Sequence, residues 1–141
     1  MTDYNIIARL AAAPDEPIED RALALVEAFA EYGPSVGPLG NGTAELTITV
    51  PADTIRQAID TGFALLADRG VQPTSIEAMT TDDWDRQHAI DNSDDMLSVT
   101  QAADLLGVSR QRVLQRISEG TIAARKVGRA WAIPRGALQA A

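Results

Sequence analysis

Four long polar side chains with base-reading chemistry lie within six residues: Gln111, Arg112, Gln115 and Arg116. An Arg guanidinium matches guanine O6 and N7 in a two-point fork, and a Gln amide matches adenine N6 and N7 in the same way. The segment that carries them, Arg110 to Glu119, places Val113, Leu114 and Ile117 at helical spacing. At 100° per residue the four polar residues project away from that apolar stripe. Such a face can enter the major groove of duplex DNA. Arg110 falls in the first turn, nearer the buried side, and suits a phosphate. The bland reading of the same residues is the solvated face of an amphipathic helix, but the stretch holds a single acid, Glu119, at its far end.

A second group of cations follows. Thr121 to Lys126 and Arg129 to Ile133 are strand-tolerant runs around Val127-Gly128, which predicts a hairpin. Arg125, Lys126 and Arg129 would give that hairpin the charge for phosphate contacts. Trp131 has two readings: it packs the hairpin onto the helices, or it touches the sugar-phosphate backbone.

The element ahead of the reading helix is equally marked. Ser98 and Gln101 fit a capping box at a helix start. Ala102, Ala103 and Leu106 then recur on one face, with small residues that permit close helix approach. Gly107 ends that helix in a left-handed turn, Val108 plugs the turn, and Ser109 caps the second helix. Gly120 ends the second helix. The layout is helix, turn, helix, hairpin.

Residues 97–138 resemble the winged helix-turn-helix of the excisionase and MerR-like DNA-binding families. The resemblance rests on Leu97-Ser98, Ala102-Ala103, Leu106-Gly107-Val108-Ser109, Gly120, Val127-Gly128-Arg129 and Trp131-Ala132-Ile133-Pro134. It implies double-stranded DNA as partner, with contacts from Arg110, Gln111, Arg112, Gln115 and Arg116 on the recognition helix and from Lys126 and Arg129 on the wing. Arg116 stands where the older repressor-type motif has an apolar residue, with Ile117 one place later, which fits the winged subtype. The long dimerisation helix of MerR regulators does not follow; a short turn of helix is expected instead.

Charge is divided along the chain. The formal net charge is −8. Residues 1–95 hold 18 acids and 5 bases, a balance of −13, whereas residues 96–141 hold 2 acids and 7 bases, a balance of +5. A basic module joined to an acidic one is the footprint expected of a nucleic-acid binder with a separate partner-binding part.

The acidic half, residues 1–81, predicts a strand at Tyr4–Leu10. A helix follows from Pro17 to Tyr32, with Ile18, Ala22, Leu25, Val26 and Phe29 on one stripe and Gly33 as terminator. A short strand at Ser35-Val36 precedes a turn, Gly37-Pro38-Leu39-Gly40-Asn41-Gly42. Thr43 to Val50 alternates, with Ala44, Leu46, Ile48 and Val50 inward and Thr43, Glu45, Thr47 and Thr49 outward. Asp53 is expected to cap a helix carrying Ile55, Ile59, Phe63 and Leu66, closed by Gly70, before a last strand at Thr74–Thr80. The order βαββαβ predicts a ferredoxin-like domain with both helices on one face. The open face is mildly polar and is the expected surface for self-association or small-ligand sensing. Residues 82–95 are expected to be an acidic linker: six of the fifteen residues 81–95 are Asp. It is either solvated or folded back against the basic segment. Trp84 suggests one docked point within it.

The remaining signals are exclusions. There is no Cys, so no disulfide or thiolate metal site is expected. The single His88 has no base or ligand partner at readable spacing. The glycine-rich stretch 37–42 lacks the Lys-Ser/Thr of a phosphate loop. Asp15-Glu16 and Glu19-Asp20 suit the positive end of a helix dipole. No signal peptide or membrane span is expected, and a cytoplasmic location is the default. The expectation is an α+β protein of two domains joined by a linker: a ferredoxin-like N-terminal domain at 1–81 and a small winged helix-turn-helix domain at 96–141. It is expected to be no enzyme, with no cofactor and no metal, and to act as a sequence-specific transcriptional regulator that binds duplex DNA. Its N-terminal domain would serve a homodimer or a partner protein. An autoregulating antitoxin and a phage-type excisionase that bends DNA stand as alternatives.

Overall fold

The computed structural model describes residues 1–13, 15–87 and 96–139. Strand β1 (Thr2–Leu10) leads to helix α1 (Ile18–Ala28), a short 3-10 turn (Ala30–Tyr32), and strands β2 (Ser35–Gly40) and β3 (Thr43–Ala52). Helix α2 (Ile55–Asp68), strand β4 (Pro73–Thr80) and helix α3 (Thr81–Gln87) follow. The C-terminal segment comprises β5 (Met96–Leu97), α4 (Val99–Leu106), α5 (Arg110–Glu119), β6 (Arg125–Val127), β7 (Ala130–Pro134) and α6 (Arg135–Gln139). The βαββαβ order of the first half is as expected. The described residues form a mixed α/β protein with a large antiparallel sheet and six helices.

The N-terminal strands form because apolar side chains recur at every second position. Tyr4, Ile6, Ala8 and Leu10 on β1 lie opposite Val50, Ile48, Leu46 and Ala44 on β3, and all are buried. Helix α1 covers this face with Ala22, Leu25 and Val26, and Phe29 at its end is fully buried. Helix α2 buries Ala58, Gly62 and Leu66. The expected stripe on α2 is thus rotated: Leu66 is in the core, but Ile55 and Phe63 are about half exposed. The reason is steric. A Cβ on Gly62 would stand 2.9 Å from Ile6 Cγ2, so the helix descends on its smallest residues. Its cap is Thr54 rather than Asp53: Thr54 Oγ1 accepts from the Gln57 N–H at 3.1 Å, and Gln57 Oε1 accepts from the Asp53 N–H at 2.8 Å. The segment expected as a turn is mostly strand, since β2 continues to Gly40 and Asn41-Gly42 alone turns the chain.

Two further departures concern how the halves join. The sheet runs β4-β1-β3-β2-β6-β7-β5, so the C-terminal hairpin continues the N-terminal sheet. The ladder is short, Ser35 opposite Val127 and Val36 opposite Lys126, but the buried apolar cluster extends across it from Ile6 and Leu46 to Val113, Ile117, Ile122 and Ile133. A single buried cluster therefore includes residues of both halves. The start of the expected linker is also structured. Residues 82–87 belong to α3, which is tied to the sheet because Asn5 Oδ1 accepts from Thr81 Oγ1 at 2.8 Å and Thr49 Oγ1 at 3.1 Å. His88, Asp91, Asp94 and Asp95 lie outside the described residues.

Candidate nucleic-acid interface

The helix-turn-helix is built as its local sequence dictates. Ser98 Oγ accepts from the Gln101 N–H at 3.1 Å, and Gln101 Oε1 accepts from the Ser98 N–H at 2.9 Å, completing the capping box. Gly107 takes a left-handed φ of 66°, where an L side chain is strained, and turns the chain into Ser109. Ser109 Oγ then accepts from the Arg112 N–H at 3.1 Å and starts α5. Ala102 and Ala103 on α4 and Val113 and Ile117 on α5 are buried against each other's layer, which fixes the rotation of α5 about its axis.

That rotation decides which side chains are offered. Arg110, Gln111, Arg112 and Gln115 are exposed, and Arg116 is half-buried. Arg112 Nη1 donates to Gln115 Oε1 at 3.0 Å, so the two lie side by side on the outer face. Arg112 and Arg116, with Glu119 and Thr121, line a shallow hollow of about 220 Å³ at the far end of the helix. Gln111, Arg112, Gln115 and Arg116 therefore share the outer surface of α5, while Arg110 stands exposed in its first turn, on the side of Val113 and Ile117.

The hairpin residues are placed differently. Successive strand residues point to opposite faces, so Arg125 and Lys126 part company. Lys126 lies on the face covered by α1, with its side chain 4% exposed, and its Nζ donates to Glu19 Oε1 at 2.7 Å. It sits 5.1 Å from the centroid of the Trp131 ring, and Trp131 Nε1 donates to Glu19 Oε2 at 2.6 Å. Trp131 thus packs the hairpin inward, the first of its two readings. Arg125 points to the other face. Its Nη1 donates to Glu45 Oε1 at 3.0 Å, its Nε to Ser35 Oγ at 2.9 Å, and its Nη2 to Thr47 Oγ1 at 2.9 Å and the Ser35 carbonyl at 3.3 Å. Arg129, at the hairpin tip, is 86% exposed and lies 3.8 Å from Glu27. In this arrangement Arg125 and Lys126 face the acidic half of the chain, and Arg129 is the hairpin cation left facing solvent.

Glu19 and Glu45 are the residues that sequence reasoning missed. Glu19 reads as a helix-dipole residue, and it does occupy the first turn of α1. Nothing local links it to Lys126, which is 107 positions away. A third element closes the seam. A Cβ on Gly40 would stand 3.0 Å from the Glu119 carbonyl oxygen, so β2 and the end of α5 approach backbone to backbone.

The geometry of α4, α5 and the hairpin is that of a helix-turn-helix unit in the C-terminal segment, which supports DNA binding. The segment 96–141 matches the family described as a helix-turn-helix domain, of the excisionase-like type, and no family matches the N-terminal half. No curated protein and no solved structure matches the chain. Among the described residues no helix is long and apolar enough to cross a membrane, and no group of His, Cys, Asp and Glu could hold a metal ion.

Proposed function

We propose that this protein is a non-enzymatic, sequence-specific binder of double-stranded DNA that regulates transcription, with α5 as its reading element. The observation that carries this reading is the outer face of α5, where Gln111, Arg112 and Gln115 stand exposed on a helix locked by two caps and a buried stripe. Rigid presentation of fork-shaped donors is what base recognition in the major groove requires. The N-terminal half is proposed to be ferredoxin-like, supported by its element order and by the strand order β4-β1-β3-β2. Self-association or partner binding through that half, and a cytoplasmic site of action, belong to the same proposal.

The test is selection of bound sequences from a random duplex library with the full chain, followed by affinity measurements on the selected site. Gln111→Ala and Gln115→Ala should each cost about 1–3 kcal/mol on that site and relax the preference at one base pair. Variants that select the same sequence with the same affinity as the parent would remove α5 from the groove. A stoichiometric protein partner in the purified material would move the role to an antitoxin. Strong bending with filaments on tandem sites would move it to an excisionase.

A further inference from the structure

The sheet face turned away from α1 and α2 holds a cavity of about 440 Å³ where β2, β6 and β7 meet. Ala132 on β7 is small and leaves room beside β6, while the absence of a side chain at Gly37 lets the Arg125 guanidinium lie across β2 and form part of the cavity wall. The sides of the cavity carry Leu39, Val127 and Trp84. Leu39 is 47% exposed and Val127 52% exposed, so two of the large apolar side chains left open to water in this protein border one hollow. Apolar surface gathered around a concavity at the junction of two halves is the usual setting of a small-molecule site, and such sites span about 300–1,000 Å³.

One polar group in the cavity wall narrows the chemistry. Arg125 lines the cavity, with its Nη1 3.0 Å from where a Cβ of Gly37 would stand. A guanidinium has five N–H groups. Four of those on Arg125 go to Ser35, Glu45 and Thr47, and the fifth, on Nη1, has no partner among the described residues. Glu45 already balances the positive charge, so the spare donor suits a neutral acceptor better than a second carboxylate.

We propose that this cavity binds a flat, largely apolar organic molecule that carries one carbonyl oxygen at its edge. The ring system lies over Ala132, beside the Arg125 guanidinium that covers Gly37 and between Leu39, Val127 and Trp84, and the carbonyl accepts from Arg125 Nη1. The proposal stands apart from the reading of α5, since neither α5 nor DNA enters it.

The probe is 6-propionyl-2-(dimethylamino)naphthalene, a planar neutral ketone whose emission shifts to the blue in apolar surroundings, titrated into the full chain. Saturable binding of one probe per chain is expected. Ala132→Phe fills the cavity and should abolish binding. Leu39→Ser, at an exposed rim position that the fold does not need, should weaken it about tenfold by removing apolar contact. Phe63→Ser, which changes another exposed apolar residue on α2, should leave it unchanged. The matching amine without the ketone, 2-(dimethylamino)naphthalene, should bind several-fold more weakly. Absence of saturable binding overturns the proposal, as does loss of binding in Phe63→Ser with retention in Leu39→Ser. Equal affinity for the two probes overturns the role of the carbonyl.

Discussion

Helix α5 and the β6–β7 hairpin carry cations of the same kind, yet the fold uses them in opposite ways. On α5 the apolar stripe of Val113 and Ile117 takes the buried side, so Gln111, Arg112 and Gln115 fall on the solvent side. A helix in contact with its neighbours along one stripe has an outer face to spare. A strand in the middle of a sheet is flanked on both edges, so alternation sets each side chain among those of the neighbouring strands on one sheet face or the other. Once β6 pairs with β2, Lys126 must meet α1 and Arg125 must meet the outward side chains of β2 and β3. A buried ammonium is tolerated only with a charged or hydrogen-bonding partner, and the N-terminal half supplies Glu19. Identical charge thus leads to an exposed face in one element and to a seam within the molecule in the other.

The contrast can be broken most forcefully at Glu19. Glu19→Ala leaves the buried Lys126 ammonium beside the Trp131 ring without its carboxylate, and it leaves the Trp131 N–H without its acceptor. Removing one partner of a buried pair costs about 3–5 kcal/mol, and Glu19 is itself 50% exposed, which places the expected loss near the lower end of that range. Urea unfolding followed by tryptophan fluorescence and by circular dichroism should show the two signals moving together, because one core spans both halves. A loss below about 0.5 kcal/mol, the size of an exposed ion pair, would mean that the seam is a surface contact and the hairpin is free to act as a wing.

The salt dependence of DNA binding sharpens the same comparison with a smaller effect. Each phosphate contact contributes about 0.9 to the slope of log affinity against log salt. Arg110→Ala should lower that slope by about one such unit. Lys126→Met, which keeps the buried stem and removes the charge, should leave the slope where it was. A lower slope in Lys126→Met would show that the hairpin leaves Glu19 and contacts DNA, and the seam would then be an opening joint.

How much of this was legible in the sequence follows from the range of the interactions. The start and stop of α4 and α5 were readable because each cap is made by residues within four positions, as with Ser98 and Gln101 or Ser109 and Arg112. The inward set of β3 was readable from alternation alone. The stripe of α2 was not, because helical periodicity locates apolar residues without saying which of them the sheet can admit, and Gly62 over Ile6 settled that in favour of small residues. The seam was the least legible feature. Ser35 and Arg125 are 90 positions apart, and a basic hairpin looks the same in sequence whether its neighbour is a phosphate or Glu45. Charge placement along the chain is informative about which halves attract, but here part of that attraction is satisfied inside the molecule.

The smallest expected effect belongs to Arg129, the hairpin cation that the seam leaves open. Its side chain is 86% exposed, and Glu27, 60% exposed, is 3.8 Å away. A pair so solvated contributes little to stability, so Arg129→Ala should unfold at the same urea concentration as the parent. In DNA binding it distinguishes two geometries. If α5 docks with the hairpin tip beside the backbone, Arg129→Ala weakens all sequences alike and lowers the salt slope by up to one contact, about 0.9. If the continuous sheet holds the tip away from the duplex, affinity and slope are both unchanged. The sheet geometry favours a small effect in the first direction, because Gly128 turns the chain just ahead of Arg129 and the tip projects past the last paired residues, Val127 and Ala130. A change in sequence preference, rather than in overall affinity, would contradict both geometries, since a cation at that tip can reach a phosphate but has no rigid helix face from which to read a base.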